Sequence, residues 1–194
     1  MLIRRQSGIV TKQDDTGNIR IVELTRNDAV LRKLKYKYFT AGYYDFSVHR
    51  EFESWRIELT LKPFEKTVEK NFEEELFAEH VEEPRVFAVT LNDRQVGWIE
   101  LGYHKWNKRM RVWELLVEED HRRKGIGTLL MKHAIKIAKE KGARMLVLET
   151  QTCNVRAIDF YLKSGFELIG FDNAAYSNED IEKKEVRLEM GLKL

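Results

Sequence analysis

Two spacings of apolar residues alternate along the chain, period two for strands and about 3.6 for helices, and the points where one gives way to the other predict its elements. Ile19, Ile21 and Val22 read as a first strand. Ahead of it, residues 1–18 hold Ser7, Gly8, Asp14, Asp15, Gly17 and Asn18 with little periodicity, which predicts a loosely held segment before a single domain over 19–194. Asn27 or Asp28 is placed to cap a short helix running through Leu31 and Leu34. Aromatics crowd the stretch from Tyr36 to Phe64, where Trp55, Ile57, Leu59 and Leu61 alternate with polar residues as a strand that Pro63 closes. Residues 65–80 read as a charged helix with Val68, Phe72, Leu76 and Phe77 on one face, ended before Pro84.

From there the pattern sharpens. Arg85 to Leu91 and Gln95 to Gly102 read as strands joined through Asn92, Asp93 and Arg94, a polar turn suited to a hairpin. A strand from Met110 to Val117 leads through EEDHRRK to Gly125. Beyond it Ile126, Leu129, Leu130, Ala134, Ile137 and Ala138 recur at helical spacing, with His133 among them and Lys132, Lys136 and Lys139 opposite. Gly142 is placed to end that helix. The apolar strand Met145 to Glu149, a helix from Asn154 to about Ser164 stopped by Gly165, and strand-like runs from Phe166 and from Glu185 complete the chain. Alternating strands and helices with hairpins predict an α/β class with a mixed sheet.

A length of 194 residues leaves room for one sizeable core and too little for two domains of ordinary size. Lys and Arg number 34 against 32 Asp and Glu, so no global field gathers a polyanion, and nucleic acid is not expected as a partner. The single cysteine, Cys153, excludes an intrachain disulfide and fits a reducing cytoplasm. His49, His80, His104, His121 and His133 show no ligand pair at metal spacing, so no metal is expected. No apolar run reaches the roughly 20 residues of a membrane helix, and MLIRRQSGIVTKQDD carries no apolar signal region, so the expectation is a cytoplasmic, non-membrane protein. Monomer and homodimer both stay open.

The segment ELLVEEDHRRKGIGTLLMKHAIKIAKEKG carries the most chemistry. A strand feeds a basic, glycine-bearing loop that opens into an amphipathic helix. The first N–H groups of a helix lack internal partners and sit at the positive end of its dipole, so such a loop binds anions. Gly125 and Gly127 let backbone come close to a ligand, and Arg122, Arg123 and Lys124 add positive charge. It is neither a Walker loop, since Gly127 stands where the lysine would be, nor a dinucleotide fingerprint, since Leu130 replaces the last glycine.

RRKGIG resembles the [QR]-x-x-G-x-[GA] cofactor motif of GNAT acetyltransferases, preceded by the strand that family uses. A second segment, LETQTCNVRAIDFYLKSGFELIGF, resembles the family's downstream motif at Asn154, Tyr161, Gly165 and Phe166. The resemblance implies a GNAT acetyltransferase fold, α/β, with a mixed, mostly antiparallel sheet flanked by helices, and acetyl-CoA as acetyl donor. It further implies that backbone groups of Leu115, Leu116 and Val117 pair with the pantetheine arm, that Arg122, Arg123, Lys124, Gly125, Ile126 and Gly127 cradle the pyrophosphate, and that Asn154 and Tyr161 face the donor. Asn154 is equally suited to a plain helix N-cap, and Tyr161 to a place at the rim of the core.

By the same resemblance Tyr161 is the candidate general acid, since a phenol within reach can protonate the departing coenzyme A thiolate. The acceptor amine, with a pKa of about 10, is mostly protonated at neutral pH and needs a base. Glu149, ending an apolar strand, and Glu114, interrupting WELLV, rank equally for that role, and at least one of them is structural. Cys153 has no histidine or aspartate arranged to activate it and reads as a buried bystander.

The string LETQ, then N-V, F-Y and G-F, GFD and a Tyr-Ser is similar to streptothricin acetyltransferases over roughly residues 85–194. That implies a small cationic amine as acceptor, of the streptothricin kind. The six glutamates between Glu73 and Glu83, with no Lys or Arg, read as a solvated helix face or as the flank of an entrance for cations. Three other readings stand beside this one: a protein or peptide N-terminal acetyltransferase, a GNAT-fold binding module without catalysis, and a nucleic-acid protein using Lys105, Lys108, Arg109 and Arg111 interleaved with Trp106 and Trp113. The last is disfavoured by the near-neutral charge.

Overall fold

The computed structural model describes residues 19–28 and 33–194. Internal contacts gather the chain into two compact units. The first takes the chain up to Leu34, Glu74–Arg144 and Leu194, and the second takes Lys35–Glu73 and Met145–Lys193.

In the first unit, β1 (Ile19–Leu24), β4 (Arg85–Leu91), β5 (Arg94–His104) and β6 (Arg109–Val117) lie side by side in that order, each pair antiparallel. The hairpin between β4 and β5 turns on Asn92 and Asp93 at φ of 48° and 64°, the two positive values a type I′ turn demands. Helix α1 (Ile126–Glu140) covers one face of these strands, burying Ile126, Leu130, Ala134, Ile137 and Ala138 as predicted, together with Met131, while Leu129 is only half-buried. Leu130 is fully buried, so truncation to alanine should cost roughly 2–5 kcal/mol. Gly142, at φ 74°, ends the helix, and the N–H of Ala143 returns to the carbonyl of Ala138.

A bulge shapes β6. Glu100 pairs with Glu114 but Leu101 with Val112, so Trp113 is an extra residue. A Cβ at Gly97 would meet Ile126 and Leu130, which puts Gly97, Ile99 and Leu101 on the α1 face and Trp98, Glu100 and Gly102 on the other. A Cβ at Gly102 would lie 2.6 Å from Trp113 Nε1 and 2.9 Å from Val81. Trp113 and Glu114, although consecutive, thus share the face opposite α1. Over that face runs the segment after residue 75: Tyr103 N–H donates to the carbonyl of Glu82 at 3.0 Å, and His80 meets Trp113 edge-on at 4.8 Å.

In the second unit, β9 (Arg187–Lys193) lies between β7 (Met145–Gln151) and β8 (Glu167–Asp172), antiparallel to both. Helix α2 (Val155–Lys163) follows β7, and α3 (Asp180–Lys183) precedes β9. The long strands β2 (Lys33–Glu51) and β3 (Ser54–Glu75) form a two-stranded ribbon. Tyr44 N–H donates to the Thr152 carbonyl, Phe46 packs on Phe171, and Lys184 reaches Asp45 at 3.0 Å, so the ribbon is held to the rest of its unit.

The ribbon corrects three expectations. Leu34 is in a strand, not a helix, while residues 29–32 of the expected helix lie outside the described residues, as does 1–18. Pro63 does not close the strand but sits inside β3, where both strands of a two-stranded ribbon are edges and can spare a donor. Residues 65–75 are strand, not helix. The apolar marks Val68, Phe72 and Leu76 are four residues apart, a spacing common to a helix turn and to alternate strand positions. Cross-strand contacts decide the outcome: Tyr36 stacks on Phe72 at 4.7 Å, Lys37 pairs with Glu69 at 3.2 Å and Lys35 with Glu73 at 3.6 Å. The glutamate-rich run is therefore no helix face, and Glu83 binds Lys105 and Lys141 at 2.7 and 2.8 Å.

Candidate active site

The basic loop lies wholly in the first unit. Strand β6 delivers Leu115, Leu116 and Val117, whose register partners on β5 are Ile99, Trp98 and Gly97. A short 3₁₀ turn, Glu119–His121, follows, and Arg122 folds its Nε back onto the Val117 carbonyl at 3.0 Å. Arg122 thereby shapes the loop it belongs to. Arg123 at φ 61° and Gly125 at φ 83° are left-handed, and Gly125 is the N-cap of α1. The first bond into the helix runs from Leu129 N–H to the Gly125 carbonyl. The N–H groups of Ile126, Gly127 and Thr128 precede that bond and form the donor end of the helix. Nothing lies within 4 Å of where a Cβ of Gly125 would be, and Arg123 and Lys124 are exposed beside it. Helix end, charge and open backbone fit a pyrophosphate.

Glu114, half-buried, follows the bulge on the face opposite α1. Its register partner Glu100 was missed by the sequence reading, although it interrupts an apolar run, WIELGY, as Glu114 interrupts WELLV. Glu100 is 1% exposed and accepts a hydrogen bond from Phe77 N–H at 2.8 Å. Burial pushes its carboxyl up to about 7, against the Phe77 N–H and the Arg26 charge, which draw it down. Arg26 Nη1 donates to the Phe77 carbonyl at 2.9 Å, with its guanidinium 5.5 Å from the Phe77 ring centroid.

In the second unit, Glu149 near the end of β7 is met by two side chains. The Tyr176 hydroxyl donates to its Oε1 at 3.3 Å, and Arg187 lies 3.7 Å from its Oε2. Arg187 also approaches Asp172 and Glu189, each at 3.5 Å. Burial, then the neighbouring Glu149 carboxylate, push the Tyr176 phenol up, so it stays a protonated donor. Asp180 builds the turn that presents Tyr176. It is fully buried and accepts from Tyr176 N–H at 2.9 Å and Ser177 Oγ at 2.8 Å. Tyr176 entered the sequence reading only as part of a motif. Its bond to Glu149 spans 27 residues, and no local pattern signals it.

Asn154 is the N-cap of α2, its side chain accepting from Ala157 N–H at 3.3 Å. Tyr161, seven residues on and so on nearly the same helix face, is half-buried between the rings of Phe160 and Phe166. Cys153 is fully buried, 3.6 Å from the Tyr38 hydroxyl, and burial pushes its thiol up, away from the reactive thiolate. The first unit thus gathers Glu114, Leu115–Val117 and Arg122–Gly127 on one strand, loop and helix start, and the second carries Glu149, Asn154 and Tyr161 on one strand and the helix after it.

The sequence profile of the acetyltransferase (GNAT) family matches residues 47–166. A streptothricin acetyltransferase of Streptomyces lavendulae is 39% identical over 89 residues, 46% of this chain and 47% of that protein. Streptothricin acetyltransferase A of Bacillus subtilis strain 168 is 34% identical over 122 residues, 61% of this chain and 70% of its own length. The matched segments thus span from about half to seven tenths of these curated relatives. Among solved structures, a nourseothricin acetyltransferase superposes with a TM-score of 0.69 at 27% identity, covering 90% of this chain and 98% of that one. A Bacillus anthracis protein assigned as a streptothricin acetyltransferase, solved with acetyl coenzyme A, gives 0.73 at 25% identity, covering 93% and 99%. The fold class expected from the sequence, α/β with a mixed, mostly antiparallel sheet flanked by helices, is the fold of this chain.

Proposed function

The chain belongs to the acetyltransferase (GNAT) family, and from that premise we propose that it moves the acetyl group of acetyl-CoA to a primary amine of a small cationic molecule of the streptothricin kind. The observation that carries the donor half is the start of α1, where a left-handed Gly125 with nothing within 4 Å of its Cβ position caps the helix beside the exposed Arg123 and Lys124. Similarity to a structure solved with acetyl coenzyme A supports the same reading. Gly125, Ile126 and Gly127 would hold the pyrophosphate through backbone N–H groups, with Arg123 and Lys124 as counter-charges and Arg122 fixing the loop through Val117. Leu115, Leu116 and Val117 would offer backbone groups to the pantetheine arm.

The reaction takes two protons from the acceptor ammonium nitrogen and returns one to the coenzyme A thiolate, so one proton is released overall. A carboxylate takes a proton from the acceptor ammonium, and the freed amine attacks the thioester carbonyl. As the tetrahedral intermediate collapses, the carbon–sulfur bond breaks, the Tyr161 phenol protonates the leaving thiolate, and the second proton lost by the attacking nitrogen restores the phenol and leaves a neutral amide. Of the two candidate bases, Glu114 is the one we favour. Glu149 accepts from Tyr176 and lies beside Arg187, contacts that fix the orientation of its carboxylate and suit a group that positions the substrate.

Similarity to streptothricin acetyltransferases motivates the acceptor class. A panel of streptothricin, spermidine, lysine and short peptides, each with acetyl-CoA, tests it. Streptothricin is expected to give the highest kcat/KM. Preference for neutral peptides would replace this reading with an N-terminal acetyltransferase, and donor binding without any turnover would leave a binding module.

A further inference from the structure

Glu100 is a buried carboxyl group that the mechanism leaves unused. At 1% exposure it fixes the backbone of Phe77 from one side, through N–H at 2.8 Å, while Arg26 fixes the carbonyl from the other at 2.9 Å. Phe77 needs fixing, because at φ 60° it occupies a left-handed conformation that a bulky side chain disfavours. The clamped residue lies near the start of the segment Leu76–Glu83, which crosses the β5–β6 face opposite α1. There it meets that face at His80 against Trp113, at Val81 over Gly102 and at Glu82 beside Tyr103. Through the β6 bulge Trp113 and Glu114 project to this same face, and Glu114 stands directly opposite Glu100 in the strand register.

We propose that Glu100, with Arg26, is a positioning residue that clamps Phe77 and so holds the segment Leu76–Glu83 over the face bearing Glu114, keeping the acceptor side of the site in its binding shape. The proposal rests on the acetyl-transfer reading and on Glu114 as its base. Glu100 touches no substrate. When the clamp is released the segment opens part of the time, and an acceptor that binds only the closed form shows an apparent affinity reduced by the closed fraction.

The test compares Glu100→Leu, which removes the acceptor for Phe77 N–H, with Glu100→Gln, whose amide oxygen can still accept it. Each is assayed with streptothricin and acetyl-CoA, and each is examined by amide hydrogen exchange. For Glu100→Leu the streptothricin KM is expected to rise about tenfold or more, with kcat within about threefold of the parent. Exchange protection should fall at residues 76–83, and the thermal shift produced by acetyl-CoA should persist. Glu100→Gln should restore most of the KM. An unchanged KM in Glu100→Leu, a Gln variant as impaired as the Leu variant, or equal loss of the donor shift would each overturn the proposal. If Glu100→Leu does not fold, Arg26→Met, which releases the Phe77 carbonyl, is expected to give the same split between KM and kcat, and an unchanged KM there rejects the clamp. Should the parent itself leave streptothricin unacetylated, the proposed function falls, and the exchange data, which need no substrate, still decide whether the clamp exists.

Discussion

Replacing Gly125 and Gly142 by alanine, one at a time, separates the cost of a left-handed backbone from the loss of donor binding. The two glycines bracket α1 at φ of 83° and 74°, and at neither would a Cβ meet anything within 4 Å. Each substitution therefore incurs the same strain, about 1–2 kcal/mol for an L-residue in the left-handed region. The lower entropy of alanine in the unfolded chain offsets about 0.4–1 kcal/mol of this. A net loss near 1 kcal/mol lowers Tm by about 2–4 °C in a chain of this size. Only Gly125 adjoins the proposed pyrophosphate site. At a donor concentration of about 100 Kd, acetyl-CoA adds about 2.7 kcal/mol to the parent and to Gly142→Ala. If the new methyl group weakens donor binding about tenfold, the same concentration adds only about 1.4 kcal/mol to Gly125→Ala, roughly half the thermal shift. Differential scanning fluorimetry with and without acetyl-CoA reads both effects. Equal donor shifts in the two variants would show that the start of α1 does not hold the donor.

Tyr161→Phe should lower kcat by about 10²- to 10⁴-fold when chemistry limits the rate, with donor affinity unchanged in a binding titration; parent-like turnover would return Tyr161 to a packing role between Phe160 and Phe166. Glu114→Gln should lose turnover together with its alkaline pH dependence, whereas Glu149→Gln should mainly raise the acceptor KM, a contrast that steady-state pH profiles check and that the reverse pattern would invert. Stability should also carry a signature of Glu100. Because its carboxyl is raised to about 7 in the folded state against about 4.3 unfolded, the folded protein holds a proton that the unfolded chain has lost, and stability falls as pH rises through that window by roughly 3 kcal/mol. His133, whose pKa burial pushes down, contributes the opposite slope below about pH 6.5, but it cancels in the difference between parent and Glu100→Gln, measured by urea unfolding at pH 5 and 8. That difference should favour the variant at pH 8, and a pH-independent difference would contradict the burial argument.

The strand, basic turn and helix start around Gly125 were legible because their signals are local: a strand, a basic turn and two glycines opening an amphipathic helix are consecutive, and α1 forms where the spacing puts it. The same holds for Asn154, which caps α2 as its residue type predicts. Trp55 to Leu61 was read as strand and is strand, but the ribbon was misread at Leu34, at Pro63 and over 65–75, because a spacing of four fits both periods and because its strands are held by partners far away in sequence, such as Tyr36 with Phe72. An extra residue at Trp113 breaks strand alternation, so the sequence pattern hides that Trp113 and Glu114 share a face. Burial of Glu100 and the bond from Tyr176 to Glu149 depend on elements arriving from elsewhere in the chain, and residue type alone records neither.

The central claim is the transfer of an acetyl group from acetyl-CoA to a cationic amine, and the most direct test is mass spectrometry of streptothricin incubated with the purified protein and acetyl-CoA. The expected result is streptothricin heavier by one acetyl group, fragmenting to show acetylation on an amine, with one free thiol of coenzyme A released per product and none when the antibiotic is omitted. Streptothricin of unchanged mass, alongside a peptide that gains the acetyl group under the same conditions, would contradict it.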